Sequence, residues 1–161
     1  VNIEIRHTIP RFIEAMRRAP DVVMSEVDRV VGRVAIEGAR EAKREAPKAL
    51  SELVNSIRNQ QVGLAFHRIV AAAGHARHVE EGTGPGGWPP REAIRRWIRI
   101  AGITSRTGAD EAGLAFLISR AIARRGTPAQ PFMAPARETS IQRLQALLPG
   151  ALRRGTERAL S

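Results

Sequence analysis

A chain of 161 residues, 43% of them apolar, is long enough to bury a core and too apolar to be wholly disordered. It has no cysteine, which excludes disulfides, thiolate nucleophiles and Cys-rich zinc sites, and no apolar run of bilayer-spanning length, so a soluble, unexported protein is expected. The net charge of +10, from 26 Lys and Arg against 16 Asp and Glu, draws such a chain to phosphate backbones or acidic protein surfaces. Through Glu80 there are 13 basic and 10 acidic residues, and beyond it 13 and 6, so the excess gathers in the second half. Lys43 and Lys48 are the only lysines. Arginine favours bidentate contacts, although Arg-rich coding would give the same bias, and charge alone names no partner.

Asn2 to Arg6 alternates like a strand, and Pro10 opens a short helical stretch, Arg11 to Arg18, with Phe12, Ile13 and Met16 on one side. After Pro20, the residues Val23, Val27, Val30, Val31, Val34, Ile36 and Ala39 recur at helical spacing and predict one amphipathic helix over 21–46, stopped by Pro47. Asp21, Glu26 and Asp28 at its start and Arg40, Lys43 and Arg44 at its end suit the helix dipole. Leu50, Leu53 and Ile57 fit one further helical turn or an extended lead. Strands are expected over 57–62 and 64–73, with Gly63 as the turn.

Gly82 to Pro90 is a loop by composition and carries Trp88. Pro89-Pro90 then opens a helix ended by Gly102, with Ala93, Ile94, Trp97, Ile98 and Ala101 on its inner face. A polar linker leads to a helix over 109–125, where Leu114, Leu117, Ile118, Ala121 and Ile122 form the expected buried stripe. Thr127 to Pro131 is an extended connector. A last helix runs from about Pro135 to Leu148, with a break expected at Pro149-Gly150 and room to resume to Leu160; its apolar positions are Ile141, Leu144, Leu147, Leu148 and Leu152. A long helix, then antiparallel strands, then helices make an α+β fold. The chain is read as one domain over 1–161, with an arm over 1–19, a core over 20–161, a helical insertion over 88–126 and a C-terminal helix.

Little in this sequence offers catalytic chemistry. His75 and His78 with Glu80 and Glu81 lack a third metal ligand at usable spacing, and adjacent carboxylates cannot flank a substrate. The glycine-rich 82–87 loop lacks the Gly-Lys-Ser/Thr of a phosphate cradle, and no nucleophile elbow is present. No enzyme, metal or cofactor is therefore expected. Basic clusters remain: Arg91, Arg95, Arg96 and Arg99 opposite the apolar face of their helix; Arg120, Arg124 and Arg125 at the end of the next; Arg153, Arg154 and Arg158 near the end of the chain. Without a recognition helix or stacking sheet, and with no tyrosine and few aromatic residues to serve single-strand stacking, contact with nucleic acid would go through the backbone alone.

Two segments and their order carry a resemblance. The first is His75-Ala76-Arg77-His78-Val79-Glu80-Glu81-Gly82-Thr83-Gly84; the second is Gly126-Thr127-Pro128-Ala129-Gln130-Pro131-Phe132-Met133-Ala134-Pro135-Ala136. With the helix ending Ala39-Arg40-Glu41-Ala42-Lys43-Arg44-Glu45-Ala46-Pro47 before them, the sequence from about residue 20 onward resembles the neck, or tail-completion, proteins of long-tailed bacteriophages, the head–tail joining family that includes minor tail protein Z. It departs from the family pattern in having histidine near position 75 where tyrosine is usual, a shortened segment after Ala46, and the insertion from Trp88. The resemblance implies a virion protein of the tail and neck, assembled in the host cytoplasm. It would form a homo-oligomeric ring, six copies favoured over twelve, between head-closure (connector) and tail-terminator proteins, with DNA passing through the lumen non-specifically and no membrane partner. The residues expected to matter are Trp88, Phe132 and Met133 for packing between elements or subunits, and Arg91, Arg95, Arg96, Arg99, Arg124 and Arg125 for charged contacts. The alternative is a small basic, non-specific DNA-binding protein.

Overall fold

The computed structural model describes residues 8–48, 51–106 and 108–161. The strand-like stretch expected at 2–6, the residue Leu50 and the side chains of Phe12, Ile13 and Met16 lie outside what is described. The fold is α+β, as expected: α1 (Thr8–Glu45), α2 (Ser51–Ser56), β1 (Ile57–Gly63), β2 (Phe66–Ala71), α3 (Ala76–Glu81), α4 (Arg91–Ala101), α5 (Glu111–Arg125) and α6 (Met133–Leu160), with β1 and β2 paired antiparallel as a two-stranded sheet. The residues fall into two compact units. One takes α1 up to Arg40, residues 59–70 and residues 136–161; the other takes residues 41–58 and 71–135. Among the described residues no helix is long and apolar enough to cross a membrane.

In the first unit, two expected breaks are absent. α1 runs through Pro20 and α6 through Pro149. An internal proline removes one helical hydrogen bond and costs about 3 kcal/mol, so a break is the default. Here both prolines are exposed, and helix–helix packing fixes the segments around Pro149. Val30 and Val34 of α1 and Ala151 of α6 form a core joined by Leu144 and Leu147. The two helices run antiparallel: Glu37 meets Arg143 at 3.3 Å, while Glu26 meets Arg154 at 3.8 Å and also Arg158. They lie close where small residues stand in the contact: Ala151 in the shared core, Gly38 against Ser140 and Gly155 against Val23. A Cβ added at Gly155 would stand 2.7 Å from the Val23 Cα.

Small residues also correct the expected stripes. Ile36 is exposed, because it stands about 200° round the helix from buried Val34. Ile141 and Leu152 are exposed as well, since the face of α6 is set by Ala136, Ala151, Gly155 and Ala159.

The dipole reading of Asp21, Glu26 and Asp28 is overturned too. With α1 starting at Thr8, no acidic residue lies in its first turn. Glu26 is instead a buried carboxylate shared by Arg29, Arg154 and Arg158. Asp28 accepts a 2.8 Å hydrogen bond from the Ala65 N–H, in the β1–β2 turn, where Ala65 has φ 54°, and its carboxylate lies 3.3 Å from His67 Nε2. Within β2, His67 and Ile69 face inward and Phe66 and Arg68 outward, the alternation expected of a half-buried strand.

In the second unit, Ala42, Ala46, Leu53, Ile57, Ala76, Ile98, Ala115 and Phe132 are buried. Leu53 sits in the further helical turn that was one of the two sequence readings. α3, which carries His78, Glu80 and Glu81, is a short helix that the sequence did not announce. α4 buries Ile98 with Ile94 and Trp97 half-covered, but Ala93 and Ala101 are exposed, against expectation. In α5, capped by the Asp110 carboxylate accepting from Gly113 N–H, the buried positions are Ala115 and Ser119. Leu114, Ile118 and Ile122 flank them half-buried, while Leu117 and Ala121 are exposed. Leu117 again lies about 200° from the residue that marks the buried face, Ala115.

Candidate functional site

The two segments that carry the resemblance meet in the second unit, where Thr83 and Thr127, 44 positions apart, face each other. Thr83 and Thr127 form an isolated antiparallel bridge: the Thr83 N–H donates to the Thr127 carbonyl at 3.0 Å and the Thr127 N–H to the Thr83 carbonyl at 3.1 Å. Their hydroxyls are 2.9 Å apart. Each threonine follows a glycine in nearly the same conformation, Gly82 at φ 72°, ψ −175° and Gly126 at φ 73°, ψ −166°. Only glycine takes that backbone readily. Space demands it as well: a Cβ at Gly82 would stand 2.6 Å from the Thr127 carbonyl oxygen, and one at Gly126 would collide with that of Thr83.

Next to this bridge the Glu80 carboxylate closes the start of α6. It accepts from the N–H groups of Phe132 at 2.7 Å, Met133 at 2.9 Å and Ala134 at 3.0 Å. A helix N-terminus leaves such donors without intrahelical partners and carries positive partial charge, so a carboxylate reaching in from another element acts as its cap. The Gln130 N–H adds a 2.8 Å bond to the Val79 carbonyl. Together these bonds form a polar clasp that seats the Phe132 side chain in the core, only 1% exposed, with Met133 half-buried beside it. Phe132 therefore packs between elements of its own chain.

The arginines singled out by sequence do not act alike. Arg95 bonds Glu111 at 3.0 Å and Glu92 at 3.1 Å, and Arg99 reaches Glu111 at 3.6 Å, so this pair ties α4 to α5. The Glu111 carboxylate, and then Glu92, hold the Arg95 guanidinium above its ordinary pKa. Arg96 pairs with Glu52 at 3.3 Å. Arg125 is exposed at the end of α5.

Arg91 and Arg124 come together elsewhere. With Arg120, Trp88, Phe116, Gly86 and Ala123 they line an open groove of about 550 Å³. Trp88 and Phe116 pack with centroids 6.0 Å apart at 32°, and the Arg91 guanidinium lies over the Phe116 ring at 5.6 Å. The Gly86 N–H donates to the Ala123 carbonyl at 2.8 Å, which anchors the Trp88 loop on α5. Among the described residues no carboxylate pairs with Arg91, Arg120 or Arg124. Sequence reasoning missed Phe116, although Phe116, Arg120 and Arg124 recur every fourth residue and so share a face. It also missed Glu80 as a cap, which has no local sequence signal because its partners lie more than 50 residues away.

Among the described residues no cluster of three or more His, Asp or Glu side chains could hold a metal ion. No family model, curated protein or solved structure matches the chain.

Proposed function

We propose that the protein is a structural component of a tailed-phage virion, a neck or tail-completion protein that forms a ring and joins tail to head around the DNA channel. The observation that supports this reading is the clasp: the segments on which the resemblance rests, Val79–Thr83 and Gly126–Ala134, form one hydrogen-bonded assembly whose polar groups are spent on each other. That is the chemistry of shaping a surface. Exposed apolar side chains at the hairpin, Val62, Leu64 and Phe66, suit a subunit that buries surface against neighbours. Six copies are proposed over twelve, a heterologous head-to-tail contact that closes by rotation. The flanking partners are a head-closure (connector) ring and a tail-terminator ring. The test is assembly in the absence of the chain: separate heads and tails are expected, whereas joined, infectious particles overturn the reading.

The second reading, a small basic non-specific DNA-binding protein, is favoured by one observation, the arginines of the groove that no carboxylate among the described residues neutralises. Titrating the isolated chain with duplex DNA at near-physiological salt separates the two. Submicromolar affinity by the isolated monomer, whatever the base sequence, favours this second reading.

A further inference from the structure

We infer that the groove between the Trp88 loop and α5 is a binding site for a single-stranded nucleic-acid segment, which places its phosphates on Arg120 and Arg124 and stacks a base on Trp88. The inference goes beyond the neck reading and does not depend on ring formation.

The argument begins with charge. Three guanidinium groups, on Arg91, Arg120 and Arg124, face one groove with no carboxylate among the described residues to neutralise them, although Arg95, Arg96 and Arg99 on the same α4 are all paired. Arg120 and Arg124 stand one turn apart on α5, about 6 Å along its axis, an arrangement that follows a run of negative groups better than a single one.

The aromatic groups choose among polyanions. Trp88 is 55% exposed although it rests against Phe116, so part of its indole surface stays open beside the arginines. It is also held in place: the Gly86 bond to Ala123 pins its loop, and Arg91 covers Phe116. A positive groove with an open aromatic platform is what binds unpaired strands, since every base offers a π-face for stacking. Duplex DNA keeps its bases inside the stack and would use only the arginines. An acidic peptide would satisfy the guanidinium groups and leave the indole without a stacking partner.

Trp88 and Trp97 are the only tryptophans, so Trp97→Phe leaves Trp88 as the sole indole reporter. The full chain in that background is titrated with a thymidine oligonucleotide, its duplex with the complementary strand, and polyglutamate of equal charge. The oligonucleotide should quench Trp88 fluorescence and bind more tightly than the duplex. A parallel assay follows the labelled oligonucleotide by anisotropy on a chain that keeps Trp97. There Trp88→Ala should weaken single-strand binding roughly 5- to 150-fold and leave duplex binding nearly unchanged. The double variant Arg120→Ala/Arg124→Ala should lower the salt-dependence slope by about 1.4. Unchanged circular dichroism confirms that the variants are folded. An unquenched Trp88, no loss in Trp88→Ala, or polyglutamate binding as tightly as the oligonucleotide overturns the proposal.

Discussion

The two units are held by different means. In the first, one helix face lies on another. Alanines and glycines let the backbones approach, valines and leucines fill the remaining space, and a buried carboxylate, Glu26, gathers three arginines at the contact. In the second, short helices surround a modest apolar core, and its distant segments are joined by main-chain and side-chain hydrogen bonds at Thr83, Thr127 and Glu80. Packing of the first kind spreads its free energy over many small contacts, so single losses are graded. A clasp of the second kind concentrates it in a few groups whose partners are orphaned when one is lost. The units should therefore respond differently to single substitutions.

The largest effect is expected at Gly126. Gly126→Ala forces a side chain into a glycine-only backbone region and against the Thr83 carbonyl, and should cost about 3–5 kcal/mol in urea denaturation. A loss under 1 kcal/mol would show that the clasp yields easily. Glu80→Ala comes next, at about 2–4 kcal/mol, because three N–H groups lose one acceptor. Hydrogen exchange should locate the damage, with the amides of Phe132, Met133 and Ala134 losing protection before those of Val30 and Val34. In the first unit, Glu26→Ala should cost about 2–3 kcal/mol, less than a fully buried ion pair would, since its arginines are at least half exposed. Restoration of stability by high salt would support repulsion among Arg29, Arg154 and Arg158 as the cause.

The smallest effect is one of pH. The Ala65 N–H, foremost, holds the Asp28 carboxyl below its ordinary pKa, with His67 and Gln61 adding to it and desolvation opposing. A folded pKa below the unfolded one stabilises above the ordinary carboxylate range, and that contribution is lost as pH falls through the folded value. Asp28→Asn should therefore flatten the acid limb of the stability curve in that window. If the two chains lose stability in parallel down to the lowest pH, Asp28 is not the group responsible.

The same difference between units explains what could be read beforehand. α1 and α4 declared themselves through apolar spacing, and the Gly102 cap through composition, because those signals are local. The turn expected at Gly63 lies instead at Leu64 and Ala65, with Gly63 the last residue of β1 and the second strand starting at Phe66 rather than at residue 64. The inner faces were harder. Periodicity weights large apolar residues and so pointed to Ile36, Leu117 and Ile141, whereas alanines and glycines set the contacts. Proline was also over-read: a rule for an isolated helix placed breaks at Pro20 and Pro149 that tertiary packing and exposure override. At the candidate site, the arginines were visible as types but not as partners. Nothing in the sequence separates Arg99, tied to Glu111, from Arg124, which faces the groove.

The paired glycine–threonine bridge has an architectural consequence. Because Thr83 and Thr127 touch, the chain leaves and returns at one point, and everything between, α4 and α5 included, is an excursion from a closed stem, with the Arg96–Glu52 pair as a further tie to α2. Such an excursion can lengthen, shorten or be exchanged at little cost in closure entropy, since the stem already holds its ends together. The groove with Trp88 and Arg124 lies wholly on that excursion. The binding preference proposed for it can thus diversify while the stem stays fixed, much as a tool head is changed on one handle.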